Sequence, residues 1–431
     1  MRKLVSWLLI VSVALSVGIV SSGIAEAAGG KLTIWMEATF SADANKVIER
    51  YIQEYADATG TEIETEFIAA TDYMLKLNAA VEANNVPDIT IGGPYKVLSY
   101  YPNNPYLPVT DLVEEINATR PFIESNREGT KMEGENYFVP YYNSGSMLFV
   151  RKDKFEEKGL AVPTTWEEIL EAAPQVSDPA NGFYGLGIGC GPTDEDCENG
   201  IRMMIWSKGG RIFDEEGNVA AASDPVVREV FETYKKLYDG GAIPPSATSW
   251  DSGGNNKTYL MGESAVVLNA PTLYNAMAND EEYAPLLEST AALSAPGNIT
   301  LAIPMGWSIM KGCQNEAGAR NFIQYMCDAQ RYNDYMAEVV PVYAPVFADC
   351  ADMPLWAQEG PNRQMLQYVH SAVGYYGYPV EPIKGRALAA KYYFSFGLAR
   401  ALNAYTTGGA TLDEALQMIE SDIANIAQTM E

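Results

Sequence analysis

The spacing of apolar residues in the first third of the chain alternates between two periods. Lys31-Leu32-Thr33-Ile34-Trp35-Met36 reads as a strand, and 42–59 carries Val47, Ile48, Tyr51, Ile52 and Tyr55 at the spacing of one helix face. Gly60 ends that helix where a residue free to turn left-handed is favoured. From Thr61 to Ile68, Ile63, Thr65 and Phe67 alternate with Glu62, Glu64 and Glu66, the pattern of a strand with one wet face. A second amphipathic helix over 72–83 leads to Pro87-Asp88-Ile89-Thr90-Ile91, a short buried strand. Two successive strand-helix-strand units imply a parallel, right-handed, doubly wound sheet. Ligands of such sheets lie outside the carboxyl ends of the strands, which directs attention to 37–41, 69–73 and 92–95. The helix start near Asp72 adds free backbone N–H groups to the same crevice.

Further on, Thr165 and Glu168 have the spacing of a capping box. A helix over 224–238 has Pro225 in its first turn and Gly240 just past its end. The C-terminal third is helical in pattern and aromatic in content, with Tyr375, Tyr376, Tyr378, Tyr392, Tyr393 and Phe394. No fixed-period repeat, heptad pattern or long low-complexity linker is present in the sequence.

The first residues, Met1-Arg2-Lys3, an apolar run from Leu4 to Val20 and then Ala25-Glu26-Ala27, read as a secretory signal peptide over 1–27, cleaved after Ala27. The remaining length exceeds what one hydrophobic core serves, so two domains are expected. With 56 acidic against 29 basic residues and a formal charge of −27, the chain repels phosphate backbones, and no nucleic acid partner is expected. Cys190 and Cys197 bracket a loop short enough to staple, a bridge worth about 2.5 kcal/mol by loop-closure entropy; pairing among Cys313, Cys327 and Cys350 stays open. His370 is the single histidine, without a Gly-x-Ser-x-Gly elbow, and there is no CxxC, HExxH or Walker loop. The alternating Gly185, Gly187, Gly189 and Gly191 read as a strand end and turn rather than a dinucleotide fingerprint. Neither catalytic residues, metal nor cofactor is expected.

The segment Val139-Pro140-Tyr141-Tyr142-Asn143-Ser144-Gly145-Ser146-Met147-Leu148-Phe149-Val150-Arg151-Lys152-Asp153 resembles the first interlobe crossover of extracellular solute-binding family 1, the maltose-binding-protein-like receptors of ABC sugar importers. Asn84 to Ile89, Pro163 to Glu168, Trp206 to Gly210, Tyr259 to Val266 and Pro304 to Ile309 extend the resemblance in order along nearly the whole chain. The usual Tyr-Asn-Lys-Asp quartet appears here as Phe149-Val150-Arg151-Lys152-Asp153. The resemblance implies an α/β, two-lobe periplasmic binding protein fold of type II, each lobe a doubly wound, mostly parallel sheet flanked by helices. Lobe I is placed at 28–140 plus 297–340 and lobe II at 141–296 plus 341–431, with crossings near 140–144, 293–297 and 341–343. It further implies a periplasmic, monomeric receptor that closes on a small carbohydrate and hands it to ABC permease subunits in the membrane. Two alternatives remain open: a cationic or other small polar solute, and a secreted carbohydrate-active enzyme using two carboxylates.

Sugar recognition combines flat aromatics against C–H faces with carboxylates or amides at the hydroxyls. The candidates for ligand contact are Glu37, Asp72, Tyr73 and Tyr95 after the first strands; Asn143 and Tyr343 at crossings; Trp206, Trp250, Asp251 and Asn269 in the middle of the chain; and Trp307 after Pro304-Met305-Gly306. Asp72 is equally an N-cap candidate, and Trp35 is assigned to the core.

Overall fold

A computed structural model describes residues 30–128, 130–297, 301, 303–371 and 377–430. The signal-peptide expectation, Tyr375, Tyr376 and the His370 side chain fall outside what is described. The first strand-helix units form as their spacing predicts: β1 (Lys31–Ala38), α1 (Ala42–Thr59), β2 (Glu62–Ala69), α2 (Ala70–Glu82), β3 (Ile89–Gly92) and the short α3 (Pro94–Ser99). Ser41 caps α1 by accepting from the Ala44 N–H, and Gly60 ends it at φ 69°, where any side chain would be strained. Asp72 is not a cap: α2 starts after Ala69, which leaves Asp72 exposed in the first turn.

Two sheets organise the chain. The first has the order β2-β1-β3-β8-β4, with β4 at Val139–Ser144 and β8 at Ile303–Ile309. The β1–β2 and β1–β3 pairings are parallel, while β8 runs antiparallel to both neighbours. The second has the order β6-β5-β7, with β5 at Met147–Arg151, β6 at Val266–Asn269 and β7 at Thr290–Ser294. Both of its pairings are antiparallel, so the expectation of a mostly parallel sheet in each lobe fails here. The cause is the direction of entry: β5 arrives straight from β4 and is flanked by two strands that the intervening helices turn the other way. An extended segment beside β6 runs parallel to it, with the Gly187 N–H donating to the Val266 carbonyl at 2.8 Å. Its glycines allow close approach, since a Cβ at Gly191 would sit 1.7 Å from the Trp250 carbonyl oxygen.

Each sheet carries its own core. Leu32, Ile34, Ile89, Trp307, Phe322 and Tyr332 belong to the first; Phe149, Trp166, Trp206, Phe231, Val267 and Leu402 belong to the second. The chain crosses from first to second sheet between Ser144 and Met147 and returns between Ser294 and Ile303. Ala344 touches the second core, yet Val342, Val346, Phe347 and Cys350 pack into the first. The chain joins the second core again by Met365, later than a lobe boundary at 341 implies. The apolar side chains past Pro341 find their burial against β4 and the helix Ala329–Val339, which keeps them with the first half.

Trp307, expected at the ligand, is a core residue. It is fully buried in β8, with its ring 5.2 Å from those of Tyr141 and Phe322. Trp307→Ala is therefore expected to cost about 3 to 5 kcal/mol of stability through the cavity it leaves. Denaturant unfolding checks this; a loss below about 1 kcal/mol contradicts the core assignment.

Candidate functional site

A cleft of about 790 Å³ lies between the two halves. From the first half it takes Glu37 at the end of β1 and Phe40 beyond it, Tyr73, Met74 and Asn78 on α2, and Tyr95, Lys96 and Tyr100 on or beside α3. The second half supplies Thr193, Glu195, Ser252 and the run Lys391 to Phe396, apart from Tyr392. The carboxyl ends of β1 and β3 thus open on the cleft, as the doubly wound topology requires.

The floor is held by an ion pair. The Lys96 ammonium, on a side chain only 2% exposed, bonds the Glu37 carboxylate and lies 4.2 Å from the centre of the Tyr73 ring and 6.0 Å from that of Tyr95. Burial forces both charges to find partners, because an unpaired ion there would cost several kcal/mol. Tyr73 is fixed in turn by donating its hydroxyl to the Ile91 carbonyl at 3.2 Å.

The opposite wall is built on the N-terminus of the helix Glu195–Ser207. Asp194 caps it, accepting from the N–H groups of Asp196 at 3.0 Å and Cys197 at 3.1 Å. Glu195 Oε1 accepts from the Tyr393 hydroxyl at 2.6 Å, and its N–H donates to Ser252 Oγ at 3.1 Å. Burial raises the Glu195 carboxyl above the ordinary range; the Tyr393 hydrogen bond opposes this, Glu37 and Glu198 add to it, and Lys96 counters. Those influences place Glu37, Lys96 and Glu195 in one electrostatic unit across the cleft. Tyr393 comes from the helix Ile383–Phe394, which packs on α3 of the other half. Where the two meet, the rings of Tyr95 and Phe394 lie 5.3 Å apart. Behind Glu195, the buried Glu198 pairs with Arg202 and accepts from the Ala399 N–H at 2.8 Å, tying the helix Glu195–Ser207 to the helix Gly397–Thr406. Phe396, at φ 54°, is a bulky residue in left-handed backbone, strain of a kind that gathers at functional sites.

Of the sequence candidates, Glu37, Tyr73 and Tyr95 line this cleft. Asp251 is exposed beside the lining Ser252, and Trp250 is 9% exposed with its Nε1–H donating to Ser246 Oγ at 3.1 Å. Trp206 is buried in the second core against Tyr378. Asn143 is buried at the first crossing, donating to the Pro345 carbonyl at 3.1 Å; Asn269 is buried at the end of β6. Tyr343 stacks on Tyr142 at 3.9 Å. Asp72, Trp206 and Trp307 are thus separated from the lining, one pointing to solvent and two into cores. Sequence reasoning missed Phe40, Lys96, Tyr100, Glu195, Lys391, Tyr393, Phe394 and Phe396. The aromatic run ending at Phe396 and the acidic run Asp194-Glu195-Asp196 were visible signals for some of them.

The Cys190–Cys197 bridge does not form: both thiols are free and buried. Cys197 belongs to the first turn of its helix and packs into the second core with Cys190, where burial foremost raises both thiols. Among the described residues, no group of three or more His, Cys, Asp or Glu side chains is placed to hold a metal ion, and no helix is long and apolar enough to cross a membrane.

This arrangement, two α/β halves with a mixed aromatic and carboxylate cleft between them, defines a two-lobe binding protein. The chain belongs to the bacterial extracellular solute-binding protein family, whose sequence model matches residues 41–330. A Brucella abortus (strain 2308) protein named only as a binding protein is 24% identical over 261 residues, 60% of this chain and 62% of that one. The chain therefore spans less than two thirds of the length of that relative. The lactose-binding protein of Rhizobium radiobacter is 23% identical over 72% of this chain and 74% of its own. The mannitol-binding protein of Pseudomonas aeruginosa is 25% identical over 41% of each. In fold, maltose-bound T. maritima MalE3 superposes with a TM-score of 0.78 at 18% identity, covering 92% of this chain and 100% of that one. An Agrobacterium vitis S4 ABC transporter solute-binding protein with bound D-mannitol gives 0.76 at 19%, covering 93% and 99%.

The acids at the helix start make stability depend on pH. Burial, then the charge of Asp196, pushes the Asp194 carboxyl up to about 8; burial pushes Asp196 up to about 7. Both bind a proton more tightly folded than unfolded, so their contribution is full below about pH 4 and lost as pH rises through 7 to 8. Asp194→Asn keeps a capping oxygen and is expected to flatten the fall in Tm between pH 5 and pH 8. Parallel Tm profiles for variant and native protein over that range contradict the assignment.

Proposed function

We propose that this cleft binds an uncharged polyhydroxy ligand, a sugar or sugar alcohol, and that the protein is the periplasmic receptor of an ABC importer. The observation that carries the reading is the composition of the cleft. Tyr95, Phe394 and their neighbours offer ring faces, while Glu37 and Glu195, one from each half, offer hydroxyl acceptors already held in place by Lys96 and Tyr393. Rings against C–H faces and charge-assisted hydrogen bonds at hydroxyls are the two requirements of sugar recognition. Lys96 cancels the charge of Glu37, which favours a neutral occupant over a cation. The names of the lactose- and mannitol-binding relatives support the same ligand class.

Hinge motion would take place where the chain changes sheets, at 144–147 and 294–303, and in the stretch after 341. Closing brings the Glu37 and Glu195 walls together around the ligand, and opening releases it chemically unchanged to permease subunits in the membrane. The protein acts as a monomer in this scheme. Ser41 and Asp43 at the start of α1 already bond Asn275 and Asn279 of the opposite half, at 2.8 and 3.0 Å, so the structure is one in which the halves meet.

Calorimetric titration against a panel of neutral sugars and polyols is expected to yield one saturable site. The affinity of that ligand should change little between 50 and 500 mM NaCl; a steep fall favours a cationic ligand instead. Tyr393→Phe removes the hydroxyl that orients Glu195 and should weaken binding about 3- to 10-fold. Unaltered affinity in this variant removes Glu195 from the recognition of the ligand, and product formation on incubation with oligosaccharides overturns the receptor reading.

A further inference from the structure

We propose that the Lys96 side chain fills a cation site made by the Glu37 carboxylate and the rings of Tyr73 and Tyr95, and that this internal occupant is what makes the cleft select uncharged ligands over amines. The selectivity clause rests on the reading above of a neutral ligand; the occupancy itself does not.

A carboxylate with aromatic faces is the chemistry that recognises an ammonium group. Here all the parts are present and already taken: the ammonium bonds Glu37, the Tyr73 ring lies 4.2 Å away and the Tyr95 ring 6.0 Å away. Lysine is rarely as buried as the 2% exposure of this side chain, yet Lys96 also lines the cleft, so its head is enclosed at the floor rather than reaching into solvent. Its backbone has little freedom to withdraw. The turn before α3 is pressed against β8, where a Cβ on Gly93 would come within 2.8 Å of Met305 Sδ and 3.2 Å of the Pro304 carbonyl oxygen. Glu195, on the far wall, feels the Lys96 charge as well, so the ammonium balances acids of both halves.

An incoming amine would have to displace a tethered group whose effective concentration it cannot match. A hydroxyl-bearing ligand needs no such displacement, since it can donate to carboxylate oxygens that Lys96 holds in place.

Removing the side chain beyond its Cβ vacates a slot the size of n-propylammonium, which supplies the test. Thermal unfolding of Lys96→Ala is measured with n-propylammonium chloride, against equal concentrations of NaCl and of n-propanol. The amine is expected to raise the Tm of Lys96→Ala saturably, on the order of 2 to 4 °C, and to leave the native protein and the Lys96→Ala/Glu37→Gln double variant at their NaCl values. If Lys96→Ala does not fold in buffer alone, the yield of refolded protein in n-propylammonium against n-propanol replaces Tm as the readout, with a higher yield in the amine expected. No amine effect on Lys96→Ala, or an equal effect on all three proteins, overturns the proposal. The assay contains no sugar, so its failure is distinguishable from failure of the ligand assignment.

Discussion

A buried charge has to be answered by another charge or by directed hydrogen bonds, and in this molecule that requirement arranges the cleft. Lys96 and Glu37 answer each other at the floor, Tyr393 answers Glu195 on the far wall, and Arg202 answers Glu198 behind it. The first two pairs join separate elements, while Glu198 and Arg202 share one helix. The first ties α3 to the end of β1, the second ties the helix Glu195–Ser207 to Ile383–Phe394, and Glu198 reaches on to the start of Gly397–Thr406. The result is a set of acceptors whose positions are fixed before any ligand arrives, which lowers the ordering cost of binding.

The helix Ile383–Phe394 is where the two halves are most closely joined. Its apolar residues point all round its axis, as suits a helix covered on several sides. Ala387 and Ala390 are buried with Tyr73, Leu77, Val97 and Leu98 of the first half, while Ala389, Tyr392 and Tyr393 belong to the second core. Small residues allow the close contact with α3, and the aromatic end of the helix then turns into the cleft. One element therefore both seals the seam and supplies ligand-facing rings.

The sequence made local structure legible and long-range placement much less so. The α1 helix and its Gly60 terminator, the Thr165–Glu168 capping box and the Pro225 start follow from signals a few residues apart. Strand direction in the second sheet depends on crossings between halves, to which alternation of polar and apolar residues is blind. The tryptophans show the same limit. Trp250 sits in a Ser/Gly/Asn-rich loop that suggests an exposed platform, yet Gly254 lets its ring pack inward, since a Cβ there would lie 2.3 Å from it. Trp307 follows a Gly that also lies in a strand and faces the core. Lys96 gave no sign at all, because a lysine reads as solvated unless the fold brings it a carboxylate. Glu37, Tyr73 and Tyr95 were within reach because topology alone says where a doubly wound sheet opens.

On the reading proposed above, both halves contribute to one ligand site whose floor is the Lys96–Glu37 pair. Hydrogen–deuterium exchange with and without a bound sugar or polyol, read by peptide mass spectrometry, tests it most directly. Slower exchange is expected in segments 37–41, 93–100, 193–196 and 391–397 together. Protection confined to one half, or centred on the peptides around Trp206 and Trp307, contradicts it.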